Sequence, residues 1–439
     1  MADAPHTLDS KPINAPDLLL TQNVPGTGGT IRQRDSDFFV EEIPLYTPGG
    51  QGEHIYLFIE KRGLTTQETI EIVARHFGVA RSAIGFAGLK DKHAVTRQTL
   101  SVHAPGRNAD SFPMLQHPDL TVLWVDQHSN KLRRGHLVGN RFSIKIRSVD
   151  LSAAVRARRC LDQLMRQGLP NRFGPQRFGV FGRNHLIGRA LFLNDCDLAT
   201  RIMLGLDCPL SPIDAIFQAA REHFANSRFS DARDATPVHF RTERLVLAAM
   251  ARGGSARDAW GMIDPRDRGF YYSAFQSAVF NRVLVERLRS GTLATLIQGD
   301  LAMPPTTRKT FLVTSDNLAE LQPLVDRFEL NPSGPLWGTS MKRAAGSVDQ
   351  AEAEALDAFS LSPEILSLCQ DTRSEMVGGS RRALRVPITD IEVEGGTDEH
   401  GPFLRCAFDL PRGAFATTVL EEIMKIDLAQ NSEEPLDDE

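Results

Sequence analysis

Cysteine is scarce in this chain, and the five present (Cys160, Cys196, Cys208, Cys369 and Cys406) form no C-x-x-C pair. An odd, scattered set excludes a disulfide frame or a paired-cysteine zinc site and fits buried, reduced thiols in the cytoplasm. Long hydrophobic runs are missing too. No stretch approaches the roughly 20 apolar residues that a membrane helix needs, and the N-terminus lacks the charged-then-apolar layout of a secretory signal. A membrane partner is therefore not expected. There is no Walker loop, dinucleotide fingerprint, H-E-x-x-H or nucleophile elbow. These absences narrow the chemistry towards carboxylates or histidines working alone, with no metal and no cofactor. No motif for an obligate protein partner is evident.

What is present is ordinary globular material, 41% apolar and 24% charged. A length of 439 residues exceeds one typical core and suggests two domains. The net charge of −5 argues mildly against a nucleic-acid partner, but the charge is unevenly placed. Lys131, Arg133, Arg134, Arg141, Lys145 and Arg147 follow one another with no acid between them. Five more arginines lie between Arg166 and Arg189, again without an acid, whereas residues 431–439 hold five acids and no base. The middle of the chain could therefore present a basic surface, although a solvated face carries such charge equally well.

Hydrophobic spacing organises the rest. Residues 1–28 mix Pro, Gly, Asp and Thr without a period and read as a mobile arm. Asp37–Ile43 and His54–Ile59 are strand-like, the second apolar on both faces. Thr65-Thr-Gln-Glu68 is a capping box that opens a helix with Ile70, Val73 and Phe77 on one face, and Gly78 stands where it should end. Strands alternate again around Leu100 and Val102 and around Phe142, Ile144 and Ile146. The stretch from about 186 to 385 is mainly helical, strands return after Leu384, and a helix carrying Phe415, Val419, Leu420 and Ile423 follows. Strands, a helical insert and strands again predict an α+β fold with an interrupted sheet domain. The boundaries drawn are an arm at 1–28, a discontinuous sheet domain at 29–165 plus 386–430, an insert at 166–385 and an acidic tail at 431–439.

The most unusual local run is Gly88-Leu-Lys-Asp-Lys-His-Ala-Val-Thr-Arg-Gln98. Gly85 and Gly88 permit a tight backbone path, and Asp91 stands between Lys90 and Lys92 with His93 and Arg97 nearby. Cations beside a carboxylate favour its ionised form, ready to act as nucleophile or base. A plain turn with Asp91 capping a helix accounts for the same residues.

The run G-L-K-D-K-H-A-V-T-x-Q closely resembles the signature of the TruD family of pseudouridine synthases. Further segments resemble that family in the same order: Asp37-Phe38, Gly139-Asn-Arg-Phe142, Pro170-Asn-Arg-Phe-Gly-Pro-Gln-Arg-Phe-Gly179, Ser273-Ala-Phe-Gln-Ser-Ala-Val-Phe-Asn281, Leu336-Trp-Gly338, and L-P-R-G-A-F-A-T from Leu410. The resemblance spans residues 37 to 418. It implies a pseudouridine-synthase-type sheet domain with an inserted, mainly helical α/β TRUD domain. It also implies a cofactor-free isomerisation of uridine to pseudouridine in tRNA, at position 13 in the bacterial branch, with Asp91 as the catalytic carboxylate. Phe38, Asn140 and Phe415 correspond to base-pocket residues. The two aromatics would contact the flipped uracil, and Asn140 would orient Asp91 or bond the base. Read from spacing alone, Phe38 is a strand residue, Asn140 a turn residue and Phe415 core. Phe142 shares a strand face with Ile144 and Ile146 and is expected in the core. The same chemistry on another RNA site, and an RNA-binding or remodelling protein with secondary catalysis, stand as alternatives. A glycosidase would need a second carboxylate, and none stands out beside Asp91.

Overall fold

In a computed structural model of the chain, residues 19–428 are described, apart from 151, 209–211, 308 and 372–373. The acidic tail and the first 18 residues of the expected arm lie outside that range. The chain divides into two units, one built on residues 20–169 with 386–426 and the other on 170–385.

The first unit holds the large sheet. Its elements are β1 (Phe38–Pro44), β2 (His54–Arg62), α1 (Thr66–Phe77), β3 (Ile84–Phe86), β4 (Val95–His103), β5 (Leu120–His128), β6 (Leu137–Arg147) and α2 (Ala153–Gln167). After the insert come β7 (Thr389–Asp398), β8 (Gly401–Pro411) and α3 (Ala416–Met424). Among the described residues the sheet has eight strands, ordered β7-β8-β6-β1-β4-β2-β5, with β3 paired to β4. Only β1 and β4 run parallel; their neighbours pair antiparallel.

Local chemistry sets these elements as expected. The Thr65 hydroxyl accepts the Glu68 N–H at 3.1 Å while the Glu68 carboxylate accepts the Thr65 N–H at 2.7 Å. Gly78 ends α1 in the left-handed region, at φ 63°. Between those caps, Ile70, Val73 and Phe77 bury against Ile55, Leu57, Ile59, Leu100 and Val102, each worth about 1.5–3 kcal/mol when fully covered. α1 thus covers one half of a sheet face. α2 packs on the strands of the other half and against α3. The strip of that face between them carries Phe38, Glu42, Thr96, Gln98 and Asn140.

Residues 20–28, expected to belong to a mobile arm, are instead fastened to α3. The Leu20 and Thr21 amides donate to the Glu422 carboxylate at 2.9 and 3.0 Å, and the Thr27 amide donates to the Ile423 carbonyl at 3.0 Å. Polar residues without a period disguised a segment whose partners lie about 400 positions away.

The second unit is mainly helical, around the 25-residue helix Pro265–Arg289, but it also holds a four-stranded sheet of Leu301–Met303, Phe311–Leu312, Asn331–Leu336 and Ser380–Ala383. Two of the recognised segments meet inside it. Asn281 of the long helix accepts the Phe173 N–H and donates to the Phe173 carbonyl, both at 2.9 Å. Arg177 donates to the Ser273 hydroxyl at 3.2 Å, so it braces this unit.

Candidate active site

Asp91 sits on the loop between β3 and β4, and buried groups from three elements hold that loop. Lys61 of β2, only 1% exposed, donates to the carbonyls of Leu64, Lys90 and Asp91, the last at 2.9 Å. The Thr66 hydroxyl in the first turn of α1 accepts the Lys90 N–H at 2.9 Å. The Lys90 side chain turns inwards to Glu42 of β1, with ammonium and carboxylate 3.3 Å apart and both nearly closed to solvent. Burial raises the Glu42 pKa above its ordinary value, and the Lys90 charge pulls it back. Lys90 therefore shapes the loop and is not available to a phosphate. At the loop's base, a Cβ on Gly85 would stand 2.3 Å from the Leu132 carbonyl oxygen. That approach requires glycine.

With its backbone pinned, Asp91 presents a half-exposed carboxylate. Arg32 Nη2 lies 3.5 Å from its Oδ2. The same guanidinium stands over the Phe38 ring, 4.7 Å from the centroid. Arg32 reaches this position from a left-handed backbone, φ 58°, which a non-glycine residue rarely adopts. Thr30, two residues earlier, bridges to Arg147 of β6 and anchors the approach.

Asn140 lies in β6 opposite Glu42, and Phe38 lies opposite Ile144 four positions further along the same strand pair. Both side chains project from the face that carries Glu42. Among the described residues no hydrogen bond joins Asn140 to Asp91, and the Asn140 Oδ1 is buried without a partner. Phe415 is half-buried and stands immediately before α3, as its N-cap residue in extended backbone. It is not on the helix face with Val419 and Ile423, as the spacing suggested, because Pro411-Arg-Gly-Ala414 delays the helix start to Ala416. Phe142 is core, its ring centroid 5.7 Å from that of Phe408. Sequence reasoning missed Arg32, Lys61 and Glu42. A lysine and a glutamate at inward positions of strands that otherwise alternate apolar residues inwards were the available signal.

The order and nature of these parts match a known family. The model described as tRNA pseudouridine synthase D (TruD) matches residues 17–423. The chain belongs to the TruD family. Among relatives named tRNA pseudouridine synthase D, the Geobacter metallireducens protein is 40% identical over 407 residues, covering 92% of this chain and 97% of that one. The Geobacter sulfurreducens protein is 42% identical over 407 residues, with 92% and 96% covered. A crystal structure from Methanosarcina mazei, assigned to TruD, aligns at a TM-score of 0.81 and 26% identity, covering 93% of this chain and 96% of that chain. The mixed α+β architecture with its large sheet is thus the TruD architecture.

The basic stretches look different once folded. Arg141 pairs with Glu392 and Asp409, Lys145 with Asp398, and buried Arg147 with Asp37 and Asp398. Arg183 pairs with Asp214, and Arg189 donates to the Phe359 carbonyl. Arg133 and Arg134 remain exposed. Among the described residues no helix is long and apolar enough to cross a membrane, and no group of three or more His, Cys, Asp or Glu is placed to hold a metal.

Proposed function

We propose that this chain isomerises uridine 13 of tRNA to pseudouridine in the cytoplasm, without a cofactor, using Asp91 as the catalytic carboxylate. The observation that carries the reading is the setting of Asp91. Its main chain is locked by Lys61, Thr66 and the Lys90–Glu42 pair, while its carboxylate faces outwards beside Arg32, whose guanidinium also stands over the Phe38 ring. Such an anion can attack the sugar or the base, or remove a ribose proton, as the C–N glycosidic bond breaks, and later assist proton loss from C5. The uridine reaches it only after leaving its stack, at a cost of a few kcal/mol. Phe38 and Phe415 receive the uracil, and Asn140 makes a polar contact with the base. Phe38 is only 2% exposed, so the Arg32 guanidinium must slide off its ring as the base arrives. Arg133 and Arg134 are the residues of the basic stretch left to meet phosphates.

Incubation of the protein with unmodified tRNA, followed by mapping of pseudouridine, tests the substrate. One new pseudouridine at position 13, lost when that base is cytidine, is the expected result. Modification at a different site alone would assign the same chemistry to another RNA position, and tight binding without product would leave an RNA-binding protein.

A further inference from the structure

Beneath Asp91, buried polar groups fill one register row of the sheet. Gln98 of β4 pairs with Ile59 of β2, and Asn140 of β6 pairs with Glu42 of β1. Val40 faces Thr96 across the parallel β1–β4 pair, so two residues on, Glu42 stands beside Gln98. Gln98, Glu42 and Asn140 therefore lie side by side on the face that also carries Phe38, with Thr96 in the next row. Gln98 and Thr96 are fully buried and Glu42 is 3% exposed. Gln98 Nε2 and Oε1, Thr96 Oγ1 and Asn140 Oδ1 all lack a hydrogen-bond partner. A buried polar atom left unpaired costs about 1–3 kcal/mol. Others occur elsewhere, as at Arg268 and Trp337, but here four, from β4 and β6, share one face of the sheet, and such a cluster calls for a partner.

A side-chain amide offers an acceptor and a donor side by side. The imide edge of uracil offers the complement, an N3–H next to a carbonyl. We propose that Gln98 reads this edge in the flipped base, Oε1 accepting N3–H and Nε2 donating to the adjacent carbonyl, with Asn140 as the second polar contact. The inference rests on the uridine-isomerising reading of the site. Gln98 and Phe38 are both closed in the free protein, so the base edge reaches the amide only as groups covering this face move aside, Arg32 over the Phe38 ring among them. Gln98 is then a specificity-determining residue that idles in the free protein and is satisfied by substrate.

Two measurements on Gln98→Met, which keeps length and removes both polar atoms, decide this. The first is urea unfolding. An idle amide contributes nothing to the fold, so the midpoint of the variant should equal or exceed that of wild type; a lower midpoint, or failure to fold, shows that the fold already uses the amide and overturns the inference. The second is binding of tRNA with uridine or 3-deazauridine at the target position, in an Asp91→Asn background that stops turnover. The deaza base keeps the ring shape but has C–H in place of the N3–H donor and an enolic hydroxyl in place of the C4 carbonyl, so it loses its complementarity to the amide. With Gln98 present, it should weaken binding by about tenfold or more, the scale of one buried hydrogen bond. With the Gln98→Met substitution added, that penalty should largely vanish. An equal penalty with and without the amide overturns the inference. Wild-type turnover of the uridine tRNA is checked first. Its absence sinks the functional reading and this inference with it, whereas turnover with equal penalties sinks this inference alone.

Discussion

At the scale of single residues, the site separates holding from reacting. Lys61, Thr66, Lys90 and Glu42 are spent on the backbone beneath Asp91, leaving the carboxylate to Arg32 and solvent. Phe415 and Phe142 illustrate the same division between two phenylalanines. Phe142 packs in the core on Phe408, and truncating such a ring costs about 3–5 kcal/mol. Phe415, half-buried ahead of α3, is expected to work chiefly by stacking on the base, worth roughly 1–3 kcal/mol. Phe415→Ala should therefore lower the single-turnover rate about tenfold to a hundredfold with a modest change in unfolding midpoint, and Phe142→Ala should do the reverse. Urea unfolding and single-turnover kinetics on both variants check this. Normal turnover by folded Phe415→Ala would remove Phe415 from the pocket.

At the scale of elements, what could be read in the sequence was what neighbouring residues decide. The Thr65–Glu68 box, the Gly78 cap, the two apolar faces of β2 and the alternation of β6 depend on residues within a few positions, and the structure shows each of them. By contrast β4, expected to alternate, also buries Thr99 and Ser101 on its second face. Pairings across the sheet depend on distant partners and were invisible. Arg147 looked like part of a basic surface, yet it is buried in a bidentate pair with Asp37, at 2.6 and 2.7 Å, and bonded to Asp398 at the end of β7. Arg147, and then Lys145, hold the Asp398 carboxyl well below its ordinary value of 3.8. The unfolded chain takes up a proton there below about pH 4 that folded Asp398 refuses, so this pairing contributes stability above that pH and loses it as the pH falls. Unfolding curves of wild type and Asp398→Asn should thus differ at pH 7 and converge in acid below about pH 4. Curves that stay parallel over that range would show that the pair has no part in acid sensitivity.

At the scale of the whole molecule, the architecture followed from the order of elements, and the site followed from one loop. The G-L-K-D-K run pointed to Asp91, and the Phe38 and Asn140 segments lie on adjacent strands of one face. The rest of the pocket was not legible, because Arg32 arrives just after a segment that looked mobile and Gln98, although it closes the recognised run, carried no role that spacing could assign. The basic surface was overestimated for the same reason, since acids far along the chain, Glu392, Asp398 and Asp409, neutralise half of the 131–147 stretch. Everything nevertheless converges on one carboxylate, and one comparison tests that directly. Single-turnover pseudouridine formation on tRNA is measured for wild type and Asp91→Asn, with the affinity of each for the same tRNA. Asp91→Asn keeps shape and removes the charge, so the rate should fall by at least ~10³-fold while the affinity holds. A variant that forms pseudouridine at the wild-type rate would contradict the account.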